Sequence, residues 1–102
     1  MNNEIEILNI DYPEASGCLG VYRDDPNVFY IYNLQTKEQY RKQGHGTKIV
    51  QKLEDIAKFL GAKEIRLLSN TDNWVRKWYI RLGYSEYQKE NDSDVWLSKT
   101  IK

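Results

Sequence analysis

"NVFYIYNLQTKEQYRKQGHGTKIVQKLEDIAKFLG", residues 27–61, changes its period partway along. Residues 27–36 are rich in aromatic and β-branched side chains and read as a strand. From residue 49 the apolar positions Ile49, Val50, Leu53, Ile56, Ala57 and Leu60 recur at helical spacing. Gly61 follows as a natural helix terminator. Between the two periods lies "QYRKQGHGTK", a basic turn carrying two glycines.

Outward from this unit, "EIEILNI" (4–10) alternates and predicts a strand, and "YPEASG" (12–17) is turn-rich. "CLGVYR" (18–23) predicts a second strand, joined to the third through "DDPN" as an antiparallel hairpin. Downstream, "KEIRLLS" (63–69) predicts a buried strand. Thr71 or Asp72 caps a second helix in which Trp74, Val75, Trp78, Tyr79 and Leu82 share one face, and Gly83 ends it. "YSEYQ" and "DVWLSKTI" predict two closing strands around the polar turn "KENDS". The order β, β, β, α, β, α, β, β predicts an α/β fold with a mixed sheet flanked by helices. The strands on either side of the first helix are expected to be parallel, joined by a right-handed crossover. Residues 1–102 read as one domain.

Fifteen basic and fifteen acidic side chains cancel, which argues against a general polyanion binder such as a nucleic-acid protein. An anion site must therefore be local. Cys18 is the only cysteine, so no internal disulfide forms and the chain fits a reducing compartment. No apolar stretch approaches the ~20 residues that span a bilayer. The acidic, alternating start is unlike a signal peptide. The expectation is a cytoplasmic protein with no membrane partner.

The glycine turn has a physical use. The first N–H groups of the following helix have no intrahelical partners, and the helix dipole adds partial positive charge there. Gly44 and Gly46 permit positive φ and close backbone approach, as a phosphate or pyrophosphate requires. Arg41, Lys42 and Lys48 lie nearby in sequence. Two familiar phosphate motifs fail. The P-loop needs four residues between its glycines, and the dinucleotide fingerprint needs a third glycine where Ile49 stands. Taken alone, the turn fits either an anion site or a strand-to-helix connection that binds nothing.

The surrounding residues resemble the acetyl-coenzyme A motif of the GNAT superfamily of N-acetyltransferases, Arg/Gln-x-x-Gly-x-Gly/Ala between a strand and a helix. Arg41, Gly44 and Gly46 fill it. The motif's apolar-x-Val strand end falls on Leu34, Gln35 and Thr36, with threonine in place of valine, and its usual proline is Glu38. Downstream, "DNWVRKWYIRLGY" resembles the family's Asn-x-x-Ala-x-x-x-Tyr-x-x-x-Gly-Phe segment. Tyr79, Gly83 and Tyr84 match its last three named positions. Asp72 takes the asparagine place with Asn73 beside it, and Val75 replaces the alanine. The resemblance covers residues 18–102.

The resemblance implies a sheet that opens between the parallel strands to admit the pantetheine arm of acetyl-CoA, hydrogen-bonded to the backbone at Leu34 and Thr36. It places the pyrophosphate on the turn of Lys42, Gln43, Gly44, His45, Gly46 and Thr47, with Arg41 and Asn73 among the cofactor contacts. It requires no metal. A primary amine, expected to be a protein lysine, attacks the thioester. A backbone N–H near Leu34 stabilises the oxyanion, and Tyr79 protonates the leaving sulfur. Its phenol, with a reference pKa of ~10, is protonated at neutral pH. Against this stands the plain reading of Tyr79 as a core residue beside Val75 and Leu82.

No carboxylate lies between Val28 and Thr36, where many family members keep a glutamate base; Tyr30, Tyr32 and Asn33 are the polar groups there, and no base is assigned. His45 occupies a variable place of the motif whose side chain usually points away. Cys18 precedes the motif in an apolar strand and reads as a packed, inert thiol. Trp74, Trp78 and Trp96 read as core. Only "DYPEASG" separates the first two strands, so the family's usual first two helices are missing or shortened and the acceptor side is expected to be open. A second copy of the chain could supply the missing wall. The other reading of the chain is a non-catalytic acyl-CoA-binding or protein-interaction module.

Overall fold

The computed structural model describes residues 4–70 and 74–101. Thr71 and Asp72, expected to cap the second helix, and Asn73, expected at the cofactor, lie outside the described residues. The strands are β1 (Glu4–Asp11), β2 (Ala15–Tyr22), β3 (Asp25–Thr36), β4 (Glu64–Asn70), β5 (Ser85–Lys89) and β6 (Asp94–Thr100). The helices are α1 (His45–Phe59) and α2 (Trp74–Arg81), and a short 3₁₀ turn, Glu38–Tyr40, precedes the glycines. The six strands form one sheet in the order β1-β2-β3-β4-β6-β5. Only β3 and β4 pair in parallel, as the period change around α1 predicts.

Strand β2 begins at Ala15, three residues before the Cys18 start expected from sequence, because the turn after β1 is tight. The Tyr12 N–H donates to the Ala15 carbonyl at 3.0 Å, and pairing resumes at once. No helix intervenes between β1 and β2.

Alternation along the strands sorts side chains onto two faces. Leu19, Phe29, Ile31, Ile65, Leu67, Val95 and Leu97 lie in the core. Ile49, Val50, Leu53 and Ala57 of α1, and Tyr79 of α2, belong to the same cluster. Both helices therefore cover one face. Burying a Leu or Ile contributes roughly 1.5–3 kcal/mol, so this stripe secures α1. A polar bridge secures the far end of α2. The Glu54 carboxylate accepts from the Tyr84 hydroxyl at 2.7 Å and from Lys99 Nζ at 3.1 Å, and Lys99 also donates to the Leu82 carbonyl at 2.8 Å. The other face, with Tyr30, Tyr32, Arg66, Leu68 and Trp96, carries no described helix.

The sheet parts in its middle. Parallel pairing runs only through Val28↔Glu64, Phe29↔Ile65 and Tyr30↔Arg66, while β3 continues to Thr36 and β4 to Asn70. On its other side β3 carries a bulge. Ser16 pairs with Gln35 and Cys18 with Tyr32, so two steps on β2 face three on β3. Asn33 absorbs the extra residue at φ 53°, a left-handed conformation that asparagine tolerates. The bulge bends β3 where its partner leaves it.

No helix among the described residues is long and apolar enough to cross a membrane.

Candidate active site

Where β3 and β4 part, a cleft of about 1040 Å³ opens on the helix side. Leu34, Gln35 and Thr36 of β3 line it, together with Tyr40, Arg41, Lys42, Gly44, His45, Gly46 and Thr47 of the turn and Trp74, Val75, Trp78, Tyr79 and Arg81 of α2. From Ile31 to Thr36 the β4-side edge of β3 faces no paired strand.

The turn is shaped by two left-handed residues. Lys42 lies at φ 64° and Gly44 at φ 84°, where it caps α1. No side chain caps this helix end. The first intrahelical bond runs from the Lys48 N–H to the Gly44 carbonyl at 3.1 Å, which leaves the N–H groups before it without helical acceptors. Gly46 is needed for close approach. A Cβ there would meet Thr36 Oγ1 at 3.1 Å and the Trp78 ring at 3.5 Å. The turn thus forms a cradle that any larger side chain would fill, which suits a pyrophosphate.

Among the described residues three cations, Arg41, Lys42 and Arg81, line the cleft, and no carboxylate does. In a chain of zero formal net charge this is a local concentration of positive charge. Arg41 Nε donates to the Thr36 carbonyl at 3.5 Å, which holds the guanidinium beside β3. The side chain of Gln43 turns back to the Gln39 carbonyl at 3.2 Å and does not line the cleft. His45 lines it with its ring edge-on to Tyr40, centroids 5.7 Å apart.

Tyr79 serves both readings made of it. It is 7% exposed and belongs to the core cluster, yet it lines the cleft. Its hydroxyl bonds to no described residue, and burial pushes its pKa up to about 12. The ring packs against Trp78 and Tyr84, with centroids 4.8 and 6.0 Å away. The result is a neutral phenol held by packing, with its donor unspent.

The tryptophans depart from expectation. Trp74 is 65% exposed at the cleft rim and Trp78 half-buried in its wall; neither is plain core. The apolar stripe of α2 is wider than the sheet it covers, and its surplus faces the cleft. Helical spacing held the signal, because Arg81 lies one turn beyond Trp78 and two beyond Trp74. Cys18 is buried as expected; its thiol donates to Asn9 Oδ1 at 3.5 Å, and burial raises its pKa. Near the parting strands the Tyr32 hydroxyl donates to Glu6 of β1 at 3.2 Å. The sequence distance between these two hid the pair.

Residues 6–84 match the model of the acetyltransferase (GNAT) family. N-alpha-acetyltransferase 30 of Schizosaccharomyces pombe is 39% identical over 59% of this chain and 41% of its own length. Thialysine N-epsilon-acetyltransferase of Mus musculus is 32% identical over 68% of this chain and 39% of its own. The chain spans about two fifths of the length of these curated relatives. The crystal structure of a PaiA N-acetyltransferase from Thermoplasma acidophilum in complex with coenzyme A superimposes with a TM-score of 0.76, at 22% identity, over 86% of this chain and 54% of that one. At that identity the likeness concerns the fold.

Proposed function

The chain belongs to the acetyltransferase (GNAT) family, and on that premise we propose that residues 1–102 act as one domain that transfers an acetyl group from acetyl-CoA to a primary amine, a lysine of a protein. The observation that carries this reading is the cleft itself. A helix N-terminus without a side-chain cap, a glycine cradle and three cations, with no carboxylate among the described lining residues, meet beside a strand edge that faces no paired strand.

Acetyl-CoA supplies an activated thioester. The N–H groups of residues 45–47, with Arg41 and Lys42, hold the pyrophosphate, and the free edge of β3 at Leu34 and Thr36 holds the pantetheine arm. A β3 backbone N–H near Leu34 stabilises negative charge developing on the carbonyl oxygen. The Tyr79 hydroxyl hydrogen-bonds the leaving sulfur and gives the thiolate its proton, which solvent then replaces. Attack forms the C–N bond, loss of thiolate breaks the C–S bond, and the amine proton leaves to solvent. Release of free thiol from acetyl-CoA on addition of lysine-rich protein, with matching acetyl-lysine by mass spectrometry, tests the reading. A protein that binds acetyl-CoA but releases no thiol with any amine refutes it.

One observation favours a second reading. Among the described residues no carboxylate lines the cleft to take the amine proton. A domain that holds acyl-CoA without turnover fits that lack, and the same assay separates the two.

A further inference from the structure

We infer that Glu54 and Tyr84 are positioning residues for the proton donor. With Thr47 and Trp78 they hold the Tyr79 ring between two pinned rings and fix where its hydroxyl stands in the cleft, a role that rests on the acetyl-transfer reading.

Tyr79 does not fix itself. Its hydroxyl finds no partner among the described residues, so only its neighbours keep the ring in one rotamer. Those neighbours are rings. Trp78 lies 4.8 Å away between centroids at an interplanar angle of 49°, and Tyr84 lies 6.0 Å away at 69°. Each is pinned to α1 by its own polar group. The Trp78 indole N–H donates to the Thr47 hydroxyl, and the Tyr84 hydroxyl donates to Glu54 Oε2 at 2.7 Å. Thr47 and Glu54 stand roughly two turns apart on α1 and so share a face. One helix face therefore holds both jaws.

The Tyr84 jaw is locked further. Its backbone N–H donates to the Tyr79 carbonyl at 3.1 Å, which joins jaw and donor through the end of α2. Lys99 Nζ donates to Glu54 Oε1 and to the Leu82 carbonyl, and lies 5.7 Å over the Tyr84 ring. Its stem passes Gly83, where a Cβ would meet Lys99 Cε at 3.2 Å. Both oxygens of a carboxylate whose side chain is only 13% exposed are thus engaged. Stability alone does not account for the Tyr84 hydroxyl. A phenylalanine would bury the same ring without taking a hydroxyl and a carboxylate out of water. A satisfied polar network of this kind selects one geometry more than it adds net stability. The geometry selected here is that of Tyr79, one ring away. A donor works only within hydrogen-bond reach, about 2.6–3.2 Å, so a small swing of the ring disables it.

The test uses the whole chain with acetyl-CoA and a peptide repeating Lys-Gly-Ser as acceptor. Single-turnover rates are read by thiol release, and acetyl-CoA affinity by calorimetry. Tyr84→Phe keeps the jaw and removes its pin; Glu54→Leu removes the pin from the other side. Each should lower the rate severalfold, never below that of Tyr79→Phe, with acetyl-CoA affinity within twofold of the parent's. Glu54→Gln keeps an oxygen for Tyr84 and should retain most of the rate. In a Tyr79→Phe background neither Tyr84→Phe nor Glu54→Leu should slow the reaction further, because both act through the lost hydroxyl. Tyr84→Phe decides alone if Glu54→Leu does not fold. Glu86→Gln breaks the ion pair of Glu86 with Arg76 elsewhere on α2 and should leave the rate within twofold. Losses that persist in the Tyr79→Phe background, or an equal loss from Glu86→Gln, would overturn the inference. So would a parental rate in Tyr79→Phe, since no donor would remain to be positioned; thiol release by the parent would still uphold acetyl transfer. A parent that releases no thiol with any amine refutes acetyl transfer instead, and the clamp is then read by NMR of carbon-13 Cζ-labelled tyrosine. The Tyr79 line, identified by its loss in Tyr79→Phe, should be single in the parent and broadened or doubled in Tyr84→Phe. An unchanged line would overturn the clamp.

Discussion

Trp78 and Thr47 join the two helices at the mouth of the cleft: the indole Nε1–H of one donates to the hydroxyl oxygen of the other across 3.2 Å. The bond holds the wall of α2 against the first turn of α1, where the proposed pyrophosphate cradle lies. Trp78→Phe keeps a ring and removes the donor. Losing one net hydrogen bond costs about 0.5–1.5 kcal/mol. In a domain of this size that is a fall of several degrees in Tm, by calorimetry. Acetyl-CoA affinity should fall severalfold with it. Unchanged values of both would mean the bond contributes nothing.

Gly46→Glu puts bulk against Thr36 Oγ1 and Trp78 and a negative charge in the cradle. Acetyl-CoA should then no longer raise the melting temperature, as it should in the parent through preferential binding to the folded state. A folded variant still stabilised by acetyl-CoA to the parental extent would place the site elsewhere.

Tyr79→Phe leaves the packing against Trp78 and Tyr84 and removes the hydroxyl. The catalytic rate should drop, by tenfold or less if the thiolate leaves well unaided and by up to ~10⁴-fold if protonation limits the reaction. Cofactor affinity should hardly move. Because the phenol titrates near 12, the parent's rate should show no decline with pH below about pH 10 from loss of this proton. Single-turnover kinetics across that range provide the check.

Alkaline stability follows from the same burial. Tyr79 and Tyr84 both titrate above the ordinary tyrosine value of 10 in the folded chain, chiefly because they are buried. Between the unfolded and folded pKa values the folded state binds more protons, so stability falls as pH rises there. The unfolding free energy should hold steady with respect to these groups below pH 10 and decline from 10 toward 12. Tyr84→Phe should flatten that decline, by denaturant titration at fixed pH values.

Leu53→Ala removes a fully buried side chain from under α1. It should destabilise the chain by about 2–5 kcal/mol. An urea midpoint within error of the parent's would contradict the packing.

Helix α1 is legible because Ile49 to Leu60 carry one helical period, and β3 because aromatic and β-branched side chains crowd Val28 to Tyr32. The cradle was legible because glycine spacing and a helix start are local. What resisted reading depends on partners far apart in the chain. Glu54 meets Tyr84 and Lys99 across 30 and 45 residues, and neither sequence segment hints at the other. Glu6 reaches Tyr32 only because two hairpins stack their strands in order. Trp74 was misread because a helical stripe says which residues share a face, not how far the neighbouring sheet extends.

Asn33 carries a consequence of another kind. Strict alternation would put Ile31 and Leu34 on opposite sides of β3, yet both pack toward α1; Leu34 Cδ1 would sit 3.1 Å from a Cβ at Gly17. The bulge resets the parity of the strand, so everything after it, Thr36 and the turn included, is in phase only because one residue too many stands before it. Insertions and deletions are therefore not equivalent along this chain. Length changes in the polar turn at residues 90–93 alter a connection and little else. A single deletion at 33 would invert the side on which every later β3 side chain stands, and the reading frame of the cleft, in the geometric sense, would be lost with it.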